Sequence, residues 1–138
     1  MPTVSTESFP LRPLDAQDET LLSAARAAIG RGYDAAAFRH TVGAAVLCQS
    51  GKVYVGVNVY TLHGACAEQV AIGAAAAAGE TEFLRIVAVR GARGEEILPP
   101  CGNCRQMLSE YAPDCEVILP GGKVPALALL PCAYIRPK

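Results

Sequence analysis

Three cysteines and one glutamate have the spacing of a catalytic zinc site. Cys101 and Cys104 are three residues apart, which turns both side chains to one side of a helix and suits two ligands of a tetrahedral Zn²⁺. Cys66 lies at another predicted helix start, and Glu68 follows two residues later. Three protein ligands leave a fourth position open for water, which is typical of catalytic zinc. The pattern predicts one catalytic Zn²⁺ per chain, held by Cys66, Cys101 and Cys104.

Two other interpretations of the cysteines are open. A CxxC pair alone also occurs as a redox pair or as two unrelated buried thiols. The three cysteines would alternatively hold structural zinc in a non-catalytic protein, although structural sites usually have four protein ligands. The segment Cys66-Ala67-Glu68, followed by Pro100-Cys101 and Cys104, favours catalysis because zinc deaminases combine a ligand, a glutamate and P-C-x-x-C.

The predicted chemistry is hydrolytic removal of an amino group from a base. Zn²⁺ would activate a water molecule, while Glu68 takes a proton from that water and passes protons to the ring nitrogen and the departing ammonia. The alternative for Glu68 is a favourable acid in the first turn of a helix. Three thiolates exceed the charge of one Zn²⁺, so the site needs positive potential, which the two helix starts and Arg105 are predicted to supply.

The elements that position these residues follow from apolar periodicity. Leu21, Leu22, Ala25 and Ile29 have helical spacing in a first helix. Two β-rich runs joined by a short turn predict an antiparallel hairpin. The predicted order is helix 15–33, strands 41–48 and 52–60, helix 66–80, strand 83–91, loop 92–100, helix 101–112 and strand 115–120.

This order predicts an α/β fold, a three-layer α/β/α sandwich with a mixed, about five-stranded central sheet. Residues 1–14 are predicted to form an irregular N-terminal arm, and residues 15–138 a single catalytic domain, since the length suits one domain. The tail after residue 120 is ambiguous because its prolines limit both helix and strand.

Composition restricts the partners. The net charge of −1 and the aromatic content of 6% argue against a deaminase acting on nucleic acid, which needs basic grooves and stacking platforms. No apolar run has the length of a membrane span, and the first residues lack the pattern of a signal peptide, so we expect a cytoplasmic protein. Hydrophobic residues make up 51% of the chain, which favours extra burial at a subunit interface.

The other cysteines carry less information. Cys48, Cys115 and Cys132 lie in apolar runs and are predicted to be small core residues. His63 is predicted to be a polar loop residue, and the two histidines do not form a zinc pair.

At these residues the chain resembles the cytidine deaminase superfamily. CAEQVAI and PCGNCRQML match its two zinc boxes, and VGAAV and GVNV match the preceding hairpin. Within the superfamily it is most similar to blasticidin S deaminases, through GVNVY, GAAAAAGE, IVAVR and CRQMLSEYAPDC. The resemblance implies zinc-dependent removal of the 4-amino group from a free cytosine nucleoside, and assembly as a homotetramer.

The resemblance also implies substrate contacts. In cytidine deaminases the asparagine that matches Asn58 is followed two residues later by a glutamate, and the two hold the ribose hydroxyl groups. Here the second position is Tyr60, a larger and mostly apolar ring. A modified nucleoside such as blasticidin S is therefore the first prediction, and cytidine or deoxycytidine the alternative.

Four further contacts come from the same resemblance. Ala67, between the ligand and the glutamate, is expected to line the base pocket. His40 occupies the place of a phenylalanine that packs on the base, and a solvent-facing histidine is the alternative. Tyr134 matches a tyrosine of the C-terminal tail of blasticidin S deaminases, and Arg93 matches a loop arginine; both would contact the carboxylated sugar.

Overall fold

The helices and strands follow one another in nearly the predicted order in the computed structural model, which describes residues 10–137. No helix in this range is long and apolar enough to cross a membrane. The elements are α1 (Ala16–Gly32), β1 (Val42–Cys48), β2 (Val53–Val57), α2 (Ala67–Ala77), β3 (Phe83–Arg90), β4 (Glu96–Ile97), α3 (Gly102–Tyr111), β5 (Glu116–Leu119), β6 (Gly122–Pro125) and a 3₁₀-helix (Ala126–Leu129).

The strands form one mixed sheet in the order β2-β1-β3-β5-β6. β1 pairs antiparallel with β2 and β3, β3 pairs parallel with β5, and β5 pairs antiparallel with β6. The predicted hairpin and mixed sheet are confirmed. The predicted loop 92–100 is wrong in part, because its residues Glu96 and Ile97 form β4 against the end of β3 and bring the sheet to six strands.

Helices cover both faces of this sheet, as predicted for a three-layer sandwich. Successive strand residues point to opposite faces, so Ala45 and Leu47 of β1 pack beneath α1 whereas Ala44 and Val46 pack beneath α2 and α3. Leu21 of α1 is buried, as its helical spacing predicted; so are its partners in the apolar stripe, Leu22, Ala25 and Ile29.

The N-terminus of α1 is fixed by charged groups. Asp15 caps the helix by accepting a hydrogen bond from the Asp18 amide, and the Asp18 carboxylate accepts one from the Asp15 amide. Of the predicted irregular arm, residues 1–9 lie outside the described range. Arg12, in the remainder, exchanges backbone hydrogen bonds of 2.9 Å with Lys123 of β6, so this part is paired with the sheet edge.

Small residues bring α2 very close to β2. A Cβ atom added to Gly56 would lie 2.5 Å from the Ala71 nitrogen and 2.8 Å from the Ala67 oxygen, so only glycine fits beneath the helix backbone. The alanines of α2 permit the same close approach from the other side. This contact sets the height of the helix N-terminus above the sheet, and Cys66 and Glu68 are at that end.

Candidate metal centre and pocket

The three predicted metal ligands come together at one point. The sulfur atoms of Cys66, Cys101 and Cys104 all lie within 4.8 Å of one another, and the Cys66 and Cys101 sulfurs are 3.6 Å apart. Zn–S bonds of about 2.3 Å in a tetrahedron place two sulfurs about 3.8 Å apart. The spacing and the thiol donor set therefore fit one Zn²⁺ with three protein ligands.

Two helix starts carry these sulfurs. Cys66 is the N-cap of α2, Cys101 is the N-cap of α3, and Cys104 lies in the first turn of α3. Gln69 fixes the first turn of α2 because its side-chain oxygen accepts a hydrogen bond of 3.0 Å from the Cys66 amide. The positive ends of both helix dipoles are thus directed at the thiols, as the sequence predicted.

Burial and mutual contact affect the thiols differently. Burial raises the pKa of Cys66, and the neighbouring Cys101 thiol adds to the effect. Burial also raises the pKa of Cys104, which is fully buried. For Cys101 burial acts in the same direction, but the Cys104 amide and the neighbouring thiols outweigh it, so its pKa is below the usual value. Metal binding requires the thiolate forms, so it would displace the protons that these thiols carry.

Glu68 lies beside the thiols, almost completely buried at the start of α2. Only 5% of the residue is exposed, and burial raises the pKa of its carboxyl above the usual value, while a thiol hydrogen bond from Cys104 partly opposes the shift. Burial thus disfavours the charged form of this carboxyl group, which suits a group that exchanges protons during a reaction.

A cavity of about 420 Å³ opens in front of this cluster. Among the described residues, Glu68 is its one acidic lining residue, and most other lining side chains are apolar. Such a volume is in the range of small-molecule sites. The lining residues are Val42, Asn58, Val59, Tyr60, Thr61, Gly64, Ala65, Cys66, Ala67, Glu68, Leu98, Pro99 and Cys101.

Asn58 lines this cavity, but its side chain is largely engaged by the scaffold. Its Oδ1 accepts a hydrogen bond of 3.0 Å from the Val42 amide, and its Nδ2 donates one of 3.2 Å to the Thr41 hydroxyl. The His40 ring bonds to the Asn58 carbonyl at 3.0 Å. Asn58 therefore joins the ends of β1 and β2, and one Nδ2 hydrogen remains for another acceptor.

Tyr60 forms an exposed part of the cavity wall and contacts an aromatic residue that the sequence analysis did not identify, Phe38. Its ring is packed edge-on against Phe38, with 5.8 Å between the centroids. Tyr60 is 69% exposed. Phe38 has a φ of 54° and His40 a φ of 53°, a backbone conformation that is uncommon for residues with a side chain. The segment before β1 thus supplies Phe38, which supports the Tyr60 ring at the cavity wall.

Of the other predicted substrate contacts, one lines the cavity and three lie outside its lining. Ala67 is buried and lines the cavity. The cavity lining, within residues 10–137, does not include His40, Arg93 or Tyr134. Arg93 is exposed in the loop before β4, where its amide bonds to Glu95. Tyr134 is also exposed, and its carbonyl accepts a hydrogen bond from Gln106 of α3. Their roles toward a substrate stay predictions.

The side chain of Arg105 binds backbone carbonyl groups beside the metal centre, and its contribution of positive charge to the site stays a prediction. Its guanidinium donates to the carbonyl oxygens of Pro100 and Leu129, and within the described range it makes no hydrogen bond to a cysteine sulfur. Pro100 immediately precedes the ligand Cys101, so the contact fixes the ligand-bearing turn through its backbone.

The remaining cysteines separate into two groups. Cys48 and Cys115 are fully buried, as predicted. The prediction for Cys132 is wrong, because this residue is exposed with a φ of 54° in the turn after the 3₁₀-helix. The prolines on either side of its short apolar run keep that run out of any strand. His63 is an exposed loop residue.

Some cavity residues were not identified from the sequence. Val42 begins β1, and Leu98 and Pro99 follow β4 directly before the second cysteine box. The position of Leu98 and Pro99 next to PCxxC was an available signal, whereas Val42 reaches the cavity only because β1 begins beside the start of α2.

Comparison with known proteins agrees with this geometry. A family model described as "Cytidine and deoxycytidylate deaminase zinc-binding region" matches residues 15–119. Blasticidin-S deaminase of Bacillus cereus is 37% identical over 111 residues, which are 71% of this chain and 79% of that protein. Cytidine deaminase of Halalkalibacterium halodurans is 38% identical over 86 residues, which are 59% of this chain and 63% of that protein.

Solved structures give the same result. Cytidine deaminase from Mycobacterium leprae has a TM-score of 0.74 and 33% identity, covering 85% of this chain and 99% of its own. The enzyme from Mycobacterium tuberculosis has a TM-score of 0.77 and 29% identity, covering 88% and 100%. The resemblance seen in the sequence is confirmed: the chain belongs to the cytidine and deoxycytidylate deaminase family.

Proposed function

We propose that the protein removes the 4-amino group of a free cytosine nucleoside by zinc-dependent hydrolysis. The observation that carries the proposal is a buried carboxyl group, Glu68, next to three convergent thiols at the end of a cavity large enough for a nucleoside. Cytosine and water then give uracil and ammonia. Family membership supports the reaction class.

Glu68 is the proposed catalytic residue. Bound to the three thiolates, Zn²⁺ would supply a Lewis acid that acidifies a water molecule. Glu68 takes a proton from the water that attacks C4, and returns protons to the ring nitrogen and to the departing amine. Burial raises the pKa of Glu68, which favours both steps because the same group must accept and release protons.

Cys66, Cys101 and Cys104 are the proposed ligands of one Zn²⁺ per chain. Ala67, Asn58 and Tyr60 are the proposed substrate contacts that line the cavity. His40 is proposed to act on the substrate through Asn58, to which its ring is bonded. We propose that Arg93 and Tyr134 contact the substrate only when the loop before β4 and the C-terminal tail adopt a different arrangement, or when subunits assemble.

Blasticidin S or a related modified nucleoside is the proposed substrate, with cytidine or deoxycytidine as the second candidate. Two observations support the first choice. The described cavity residues include no carboxylate besides Glu68 to accept hydrogen bonds from a ribose diol, and the Asn58 amide is largely engaged. The 37% identity to blasticidin-S deaminase supports it as well.

Glu68→Gln tests the mechanism. We expect about one zinc per chain and loss of ammonia release, because the amide keeps the size of the side chain but cannot move a proton. Glu82→Gln, which changes an exposed carboxylate after α2, is the control and should keep full activity. Zinc is measured by atomic emission and ammonia by a coupled assay. Wild-type activity in Glu68→Gln would disprove the assignment.

Cys101→Ser tests the metal ligands. We expect loss of bound zinc and a lower melting temperature, because metal binding contributes to folding free energy. Cys132→Ser, at an exposed thiol away from the cluster, should retain zinc and stability. Equal zinc content in both variants would exclude Cys101 as a ligand.

The substrate is settled by incubation with cytidine, deoxycytidine, cytosine, blasticidin S and guanine. Activity is measured by the loss of cytosine absorbance, and we expect the highest kcat/KM with blasticidin S. Highest kcat/KM with cytidine would select the second candidate. Turnover of guanine alone would overturn the pyrimidine proposal.

We further propose that residues 15–138 form one catalytic domain that assembles as a homo-oligomer, specifically a homotetramer, in the cytoplasm. Exposed apolar residues such as Leu62, Tyr60 and Ile135 support burial in an assembly. The unpaired cysteines support a reducing compartment. Light scattering on the zinc-loaded protein measures the mass, and a monomer would contradict the assembly.

A further inference from the structure

The turn that carries Cys101 into the metal centre has few backbone donors of its own. Pro99 and Pro100 have no N–H group, so they cannot donate hydrogen bonds to the rest of the fold. On one side, the Leu98 amide donates to the Ala88 carbonyl of β3 at 2.9 Å. On the other, the turn runs into α3. Its conformation therefore depends on donors that reach its carbonyl groups from elsewhere.

The side chain of Arg105 is such a donor. Its Nε donates to the Pro100 carbonyl at 2.8 Å, and its Nη1 donates to the Leu129 carbonyl at 3.2 Å. Arg105 is half-buried in the first turns of α3, and Leu129 is a buried residue at the end of the 3₁₀-helix. One planar guanidinium thus joins the ligand-bearing turn, α3 and the segment after β6.

We infer that Arg105 is a positioning residue of the metal centre. It holds the backbone before Cys101 at a fixed distance from α3, and α3 carries Cys104. The separation of these two sulfurs therefore depends on the fork of hydrogen bonds and not on the positive charge of Arg105 alone. The inference depends on the proposed binding of zinc by the three thiolates.

The geometry distinguishes the fork from the charge. A lysine keeps the charge but presents a single nitrogen on a flexible stem, so it cannot reproduce the planar pair of donors. A glutamine removes the charge. Arg136 is mostly exposed and forms an ion pair of 3.2 Å with Glu110 of α3. It therefore provides a matched control for the loss of an arginine that contacts α3.

The test compares Arg105→Lys, Arg105→Gln and Arg136→Gln with wild type. The zinc dissociation constant is measured by competition with a chelator, and the tetrahedral ligand field by the visible absorption bands of the Co²⁺-loaded protein. We expect both Arg105 variants to bind zinc about 10–100 times more weakly, as is typical when a group that supports a metal ligand is lost, with altered Co²⁺ bands. Arg136→Gln should match wild type.

Three results would overturn the inference. Wild-type zinc affinity and Co²⁺ bands in Arg105→Lys would assign the effect to charge. Unchanged affinity in Arg105→Gln would deny Arg105 any role. Variants that stay unfolded with zinc, even when combined with the helix-favouring Gly73→Ala change, would make Arg105 a general determinant of folding. Absence of zinc from the wild-type protein would instead disprove the proposed function.

Discussion

Asp18 and Lys123 form an ion pair in which both residues are buried. The Lys123 nitrogen lies 2.7 Å from the Asp18 carboxylate, and the two residues are 1% and 0% exposed. The Asp18 carboxylate also lies 3.1 Å from the Arg85 guanidinium. The pair joins α1 to β6, so its removal should affect the stability of the whole sandwich.

Asp18→Ala should lower the free energy of unfolding by about 3–5 kcal/mol, the usual cost of leaving a buried charge without its partner. Lys123 would retain only Asp15, at 3.3 Å, and the N-cap of α1 would lose the hydrogen bond from the Asp15 amide. Lys123→Met should be less harmful, at about 1–3 kcal/mol, because Asp18 keeps Arg85.

The double variant Asp18→Ala/Lys123→Met should lose less unfolding free energy than the two single variants lose together, by about 2 kcal/mol or more. The reason is that it leaves no lysine buried without Asp18. The control is the Arg90–Glu96 pair, which has the same separation of 2.7 Å but is 52% and 57% exposed. Glu96→Gln should cost less than about 1 kcal/mol, since solvent screens the pair.

Urea unfolding of the zinc-loaded proteins, followed by circular dichroism, measures these differences. The reasoning makes burial, not distance, the cause of the difference between the two pairs. Coupling between Asp18 and Lys123 no larger than that between Arg90 and Glu96 would refute it.

Two further predictions follow from glycine packing and from thiol burial. Gly56→Ala should destabilise the protein by about 1–3 kcal/mol and reduce zinc binding, because the new Cβ meets the backbone of α2. In Gly73→Ala the new Cβ meets nothing within 4 Å, so this change should stabilise the protein by about 0.5–1 kcal/mol. Thermal melts and zinc analysis measure both variants. Burial raises the pKa of Cys48 to about 11 and that of Cys115 to about 12, so their reactive thiolates form only well above pH 8. Iodoacetamide at pH 8 should therefore modify the exposed Cys132 but neither buried cysteine, as measured by mass spectrometry. Equal labelling of Cys115 and Cys132 in the folded protein would contradict this prediction.

The metal centre was predictable because its information is local. Cys101 and Cys104 are close in sequence, and each cysteine box also starts a helix, so spacing and capping determine most of the geometry. Joining the boxes required only that both helices lie on the same face of the sheet. The alternation of strand β1 makes one such face available.

Strands β4 and β6 were not predicted, because their own residues carry little strand signal. β4 has two residues and exists because Ile97 pairs with Val89 of β3. β6 contains Lys123, a charged residue that single-sequence hydropathy assigns to the surface, yet its nitrogen is buried on Asp18. Each strand pairs with the strand just before it in the chain, but β4 is too short to show alternation, and the partner that buries Lys123, Asp18, is 105 residues away in sequence.

The same distinction separates the reaction from its specificity. The proposed reaction depends on Cys66, Glu68 and the CxxC pair, and a short pattern contains them. The rest of the cavity wall includes Val42 of β1, Tyr60 after β2 and Leu98 before α3. Because Asn58 uses most of its amide to join β1 to β2, its identity in the sequence does not give its availability to a ligand. Substrate preference therefore depends on tertiary contacts that the zinc boxes do not encode, so the boxes predict the reaction class but not the nucleoside.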